Sequence, residues 1–169
     1  MLNLDLNLTQ NFKLKEFLTS SHLTPQQLLQ SLTPEILENI FILATYLQKI
    51  RNLTQKPITI TSAFRTPQLN KLIGGSSNSL HLIGKAADFR IKNLDKKSLT
   101  QLLNFINTTP IGEFIIYTSN NSISRFHLAI PSLNPKKLDT LLIAKEGTKS
   151  YKPLTPDILD NLLSLPQNH

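Results

Sequence analysis

The polar residues best able to do chemistry fall in one short run, Ser79-Leu80-His81-Leu82-Ile83-Gly84-Lys85-Ala86-Ala87-Asp88, with a second candidate at Phe126-His127-Leu128. His81 and Asp88 stand seven residues apart across a loop that enters a strand. Along the expected strand from Ala86 to Ile91, alternation puts Ala87, Phe89 and Ile91 on one face and Asp88 and Arg90 on the other. In the strand from Arg125 to Ile130, Phe126, Leu128 and Ile130 share a face, and Arg125 and His127 share the opposite one. Asp88 and His127 therefore project from the non-core face of one sheet, and a loop can carry His81 over that face. Two imidazoles and one carboxylate make a three-ligand set with an open fourth position. That is the donor pattern of catalytic zinc, which polarises a water. The spacing alone fits coincidental surface or capping residues better, so the parity argument leaves both readings open.

Composition narrows the alternatives. A chain of 169 residues is one domain at roughly 100–200 residues per domain. With 40% hydrophobic and 17% charged residues it is globular in composition. Cysteine is absent, which excludes disulfides, thiolate-held zinc, iron–sulfur clusters and a cysteine nucleophile. Any metal must be held by the four His and eleven acidic residues. The net charge of +7 favours an anionic partner. The basic residues divide evenly, nine in residues 1–90 and nine in residues 91–169, and no aromatics interleave with them. A nucleic-acid footprint clusters, so no nucleic-acid partner is expected. The start, Met-Leu-Asn-Leu-Asp-Leu-Asn-Leu, has no basic n-region and no continuous apolar run, so no signal peptide is expected. The strongest apolar stretch, Ile40 to Leu47, is too short for a membrane span. A soluble protein made in a cytoplasm is expected, with its release left to another agent.

The elements that must position these residues follow from local signals. Residues 1–10 alternate Leu with polar residues and read as an edge strand or arm, and Phe12, Leu14 and Phe17 as a short docking segment. Thr24-Pro25 opens a helix to about Leu32. Thr33-Pro34-Glu35 opens a long core helix ending near Asn52, with an N-cap, a first-turn proline and an acid. Ile58 to Thr61 reads as a strand, Thr66-Pro67 as the start of a short helix ended by Gly74-Gly75, and residues 76–84 as a polar loop. Ala86 to Ile91 is a strand, and Asp95 caps a helix to about Asn107. Phe114 to Tyr117 and Phe126 to Ile130 form a hairpin turning near Asn120-Asn121. Leu138 to Ala144 is a further strand, Glu146-Gly147 a turn, and Thr155-Pro156-Asp157 starts a last helix. The order implies an α+β fold: a small, mostly antiparallel sheet with flanking helices.

Several motifs together resemble one enzyme family. Ser79-x-His81-x-x-Gly84-x-Ala86-x-Asp88, followed by Phe126-His127-Leu128, resembles the signature of the zinc D-Ala-D-Ala carboxypeptidases and L-alanyl-D-glutamate endopeptidases. Thr61-Ser62-Ala63-Phe64-Arg65-Thr66-Pro67-Gln68-Leu69-Asn70 with Gly74-Gly75 is similar to their Ser-x-x-Arg, Leu-Asn and Gly-Gly run, and Phe12-x-Leu14-x-Glu16-Phe17 to an element of phage and viral members. The resemblance covers about residues 11–130, leaving 131–169 as a C-terminal extension expected to pack on a single peptidase-like domain, 1–169. It implies the Hedgehog/DD-peptidase zinc fold, a Zn2+ cofactor and cleavage of peptidoglycan stem peptides. It makes His81, Asp88 and His127 the zinc ligands. It gives Arg65 the task of meeting a substrate carboxylate or the developing oxyanion, for which a permanently charged guanidinium is suited. Ser79 would hydrogen-bond within the ligand loop or near the substrate. The basic charge then fits an anionic cell wall, and the chain is expected to act as a monomer.

One departure stands out. Active members carry a glutamate that moves protons between water and the leaving amine, often three residues before the last histidine ligand. Ser124 occupies that position here. Members with a second histidine two residues before the ligand would carry it where Arg125 stands, and another arrangement would put the glutamate near Ile116-Tyr117-Thr118. Glu113 is the one acid between Asp95 and His127. It approaches His127 if the hairpin turns at Asn120-Asn121, although a one-residue slip would flip its face. It reads either as the general base or as a solvent-facing acid. Tyr117 is a poor base at neutral pH. His22 and His169 read as bystanders. The reading is a zinc metallopeptidase of the cell wall, of phage or small-virus type. The alternatives are a catalytically impaired zinc-containing wall-binding or structural protein and a basic nucleic-acid binder.

Overall fold

The computed structural model describes residues 2–120, 122–131 and 141–164. After a one-turn helix α1 (Leu14–Phe17), Thr-Pro pairs open α2 (Pro25–Leu29), α3 (Pro34–Thr54), α4 (Pro67–Leu72) and the last helix, Pro156–Ser164. The reason is shared. Proline pre-sets the first helical φ and has no N–H to leave unsatisfied. The preceding threonine hydroxyl accepts a backbone N–H three positions further on: Thr24 from Gln27 at 3.3 Å, Thr33 from Ile36 at 3.2 Å, Thr66 from Leu69 at 3.2 Å and Thr155 from Ile158 at 3.4 Å. Helix α5 (Lys96–Thr108) is capped instead by Asp95, which accepts from Ser98 N–H at 2.7 Å. The Pro156–Ser164 helix is α6.

The strands are β1 (Ile58–Ser62), β2 (Ala86–Ile91), β3 (Glu113–Ser119), β4 (Ser122–Ala129), β5 (Leu142–Lys145) and β6 (Tyr151–Pro153). They form one six-stranded sheet in the order β1-β2-β4-β3-β5-β6. The β3–β4 and β5–β6 pairs are antiparallel and β3–β5 is parallel. The fold is α+β, a mostly antiparallel sheet with flanking helices.

Contacts gather the chain into two units: residues up to Lys49 with Ile60–Asp88, and Ile50–Thr59 with residues from Phe89 onward. In the first, Phe12, Leu14, Phe17 and Leu18 are buried, as are Leu28, Ile40, Leu43, Ala44 and Leu47. The segment that follows the arm is fixed by hydrogen bonds from backbone N–H groups. Glu16 reaches back to accept the Lys13 N–H at 2.7 Å, and Phe17 C=O accepts the Phe64 N–H at 3.0 Å. In the second unit, Phe126 stacks between Phe89 and Phe114, with ring centroids 5.5 and 5.8 Å away. Leu99, Leu102, Leu103 and Ile106 of α5 are buried on one stripe, as helical spacing requires.

Some expectations change. The helix at Thr24-Pro25 ends at Leu29 rather than near Leu32. The arm at residues 1–10 makes a single antiparallel bridge, Asn7 to Lys13, instead of a strand. The polar loop at 76–84 contains a 3₁₀ turn, Leu80–Ile83, too short to show periodicity. The strand expected from Leu138 begins at Leu142, and residues 132–140 lie outside the described residues. Asn121 and His169 also lie outside them. β6 was not anticipated because Tyr-Lys-Pro carries a proline, which strands tolerate at a sheet edge, where β6 lies.

Candidate metal centre

His81 is aimed by its own short turn. Ser79 precedes the turn and makes no side-chain cap, while its C=O accepts the Leu82 N–H at 3.0 Å. Gly84 ends the turn at φ 71°, a left-handed conformation open to glycine. It also lacks room for a side chain, since a Cβ would stand 2.9 Å from Ile36 O and 3.1 Å from Ile40 Cγ1. Asn39 Nδ2 donates to Ile83 O at 2.9 Å, so α3 supports the end of the turn. The His81 ring puts Nδ1 2.7 Å from Ala63 O. A carbonyl can only accept, so Nδ1 carries the proton and Nε2 keeps its lone pair for a metal.

Asp88 is 8% exposed. A buried carboxylate needs compensating partners, and Arg65 is one. Its Nη2 donates to Asp88 Oδ2 at 3.0 Å and its Nε to Ser62 Oγ at 2.9 Å. The same Oδ2 stands 3.7 Å from His81 Nε2. Thr61 Oγ1 adds a bond to the Asp88 backbone carbonyl. Arg65 is thus anchored beside a candidate ligand, a partner its motif does not name.

His127 comes from the regular part of β4. Its register partner is Ile115, and Glu113 pairs with Ala129. Glu113, Ile115 and Tyr117 therefore share a face with Ala129, His127 and Arg125. Glu113 Oε2 lies 3.4 Å from His127 Nε2, so the register brings the acid to the histidine instead of flipping it away. His22 is exposed.

His81, Asp88 and His127 are all buried, and each offers one ligand atom, the three atoms lying within 4.8 Å of one another. Donors at about 2 Å from a tetrahedral zinc stand roughly 3–4 Å apart. The donor set, its convergence within 4.8 Å and the pinned His81 tautomer therefore fit one metal ion.

One acidic residue escaped the sequence reading. Glu146, expected only as part of a turn, donates its backbone N–H to Thr118 O at 2.8 Å. Its carboxylate meets Ser124 Oγ at 2.5 Å and Arg125 Nε at 2.8 Å. An acid from another segment thus lies against Ser124, where the resemblance led a glutamate to be expected. No spacing rule could have found it, because the residues are 22 apart and joined only through tertiary pairing. Burial pushes the Glu146 carboxyl up, but the Ser124 and Arg125 hydrogen bonds and the charges of Arg125 and Arg90 outweigh it and hold it below its ordinary value.

The α+β scaffold thus carries a buried His–Asp–His donor set able to hold a metal ion. The family model for Peptidase M15 matches residues 10–128, and the chain belongs to that family. Peptidases of this family are metal-dependent hydrolases, and the His81, Asp88 and His127 donor set could hold such a metal ion. No curated protein matches the chain.

Proposed function

We propose that this protein is a zinc peptidase that hydrolyses the peptide stems of bacterial peptidoglycan, as a D,D-carboxypeptidase or an L-alanyl-D-glutamate endopeptidase. In this reading it acts as a monomer in phage or small-virus lysis or in wall remodelling. The observation that carries the reading is the buried donor set of His81, Asp88 and His127 in a chain of the Peptidase M15 family.

These three residues would hold the zinc. When bound, zinc supplies Lewis acidity toward a water and the scissile carbonyl. Glu113 takes the proton of the attacking water and returns it to the leaving amine, and its 3.4 Å approach to His127 Nε2 supports that role. Arg65 holds Asp88 in place and sets a permanent positive charge beside the ligands, where a developing oxyanion or a substrate carboxylate would need one. Ser79, which precedes the His81 turn and leaves its hydroxyl out of the cap, would bind the substrate in this reading.

Purified stem peptides test the reading. The wild-type protein should cleave them, lose activity to a chelator and regain it with zinc. Glu113→Gln should lower kcat by about 10²–10⁴-fold while keeping its zinc, and His127→Ala should lose both. A second reading is favoured by Ser124 and the run Ile116-Tyr117-Thr118 standing where active family members would carry a glutamate: an impaired, zinc-containing wall-binding or structural protein. Stoichiometric zinc and retention on cell-wall sacculi without cleavage would establish that reading and overturn the peptidase.

A further inference from the structure

We propose that Arg125 is a specificity-determining residue that receives an anionic group of the substrate, and that Glu146 positions it for that task. The inference rests on the peptidase reading and extends it to the kind of stem that is cut.

Arg125 and His127 lie on one face of β4, two residues apart, with register partners Tyr117 and Ile115. A strand advances about 3.3–3.4 Å per residue, so the two side chains rise roughly 7 Å apart. Glu113 stands beside His127 at the other end of the same row. The row therefore reads acid, metal ligand, cation, and a peptide lying along it meets opposite charges on its two sides. A stem cut beyond its D-glutamate, as in D,D-carboxypeptidase cleavage, places its leaving amine at Glu113 and presents the side that carries the D-glutamate α-carboxylate to Arg125.

The guanidinium is fixed before any substrate arrives. Its carbon sits 3.7 Å from the centre of the Tyr117 ring, and Nε donates to Glu146 Oε1 at 2.8 Å. The register shifts between Tyr117 and Thr118, leaving Ser124 as the extra residue on β4. Such bulges re-aim neighbouring side chains. Here the Ser124 hydroxyl meets both Tyr117 O at 3.0 Å and Glu146 Oε2. The side chains of Arg125 and Glu146 keep 22% and 38% of their exposure, and an ion pair this open adds little to stability. What the arrangement does secure is orientation. A planar, always charged fork held on an aromatic face is suited to a carboxylate. Arg90 adds a second positive charge near Glu146, so the negative charge of Glu146 does not cancel the cationic character of this end.

Two stem peptides that differ at one group test the proposal: one with a free α-carboxylate on its D-glutamate, the other with the primary amide there. The wild-type zinc protein should cleave the acid with a kcat/KM at least about 10-fold above the amide, the scale of one charge-assisted hydrogen bond. Arg125→Gln should cleave both at about the wild-type amide rate, with unchanged zinc content and thermal midpoint. Should that variant fold poorly, Arg125→Lys should keep a preference for the acid. Equal rates in the wild type, or a preference that survives in Arg125→Gln, would overturn the proposal. If the wild type cuts neither peptide, the peptidase reading fails by itself. Calorimetric binding of the same two peptides to the zinc protein then decides: tighter binding of the acid that disappears in Arg125→Gln supports the role of Arg125. Equal affinities, or no binding of either, overturn it.

Discussion

Arg65 donates to Asp88 Oδ2 at 3.0 Å, so in the proposed metal site it should govern how well Asp88 is held. Partners that orient a metal ligand typically carry 10–100-fold in metal affinity when removed. Arg65→Ala should therefore weaken zinc binding by about that factor. Arg65→Lys should fall between, since it keeps a charge but not the fork that also meets Ser62. Titration against a competing chelator reads the difference, and unchanged affinity in Arg65→Ala would separate Arg65 from the ligand set. At this scale the sequence spoke unevenly. Asp88 and His127 were legible because each sits out of phase with its apolar neighbours in a strand. His81 was legible through its motif, but the Ala63 carbonyl that fixes its tautomer was not, being 18 residues away in the chain. Glu113 was legible only conditionally, because its face depended on a register the turn residues alone do not set. Glu146 was hidden entirely, since only the β3–β5 pairing carries it to Ser124.

Short elements carry the site, and their ends are their weak points. Gly84 closes the turn that presents His81, with its φ in the left-handed region and Ile36 O where a Cβ would sit. Gly84→Ala should cost about 1–3 kcal/mol, as local backbone strain does. Because the displaced turn carries His81, zinc affinity should fall with it, and the thermal midpoint should drop by roughly 2–4 °C per kcal/mol. Calorimetry with and without zinc measures both. The cap of α5 gives a pH test. Asp95 accepts from Lys56 Nζ and from Ser98, and these bonds hold its carboxyl well below the usual range. A depressed folded pKa stabilises fully above the unfolded value near 3.8 and is lost as pH falls through the folded value. Between about pH 4 and pH 2 the wild type should lose stability that Asp95→Asn, uncharged throughout, has already forgone. The two urea midpoints should therefore converge as the pH is lowered, and parallel curves would remove Asp95 from the acid response. Elements with chemical punctuation, the Thr-Pro starts and the Asp95 cap, were readable from local sequence. The 3₁₀ turn and β6 were not, because four and three residues give hydrophobic periodicity nothing to repeat.

At the scale of the whole molecule the donor set is drawn from positions up to 46 residues apart, and an unfolded chain offers no preformed equivalent. An ion that binds the native state alone stabilises it by RT ln(1 + [L]/Kd), about 4 kcal/mol when free zinc is 1,000 times Kd. Removing the metal should thus lower the thermal midpoint, and returning zinc should restore it in a concentration-dependent way. The identity of the ligands can be read from the same curve. His127→Ala and Asp88→Ala should each flatten the dependence on zinc, and His22→Ala, an exposed residue outside the set, should leave it intact. Glu113→Gln separates proton transfer from metal holding, because it should keep the full zinc response while losing turnover. A midpoint indifferent to zinc in the wild type would mean that the three buried donors do not act together as a metal site. A response lost in Glu113→Gln would move that residue from proton carrier to ligand.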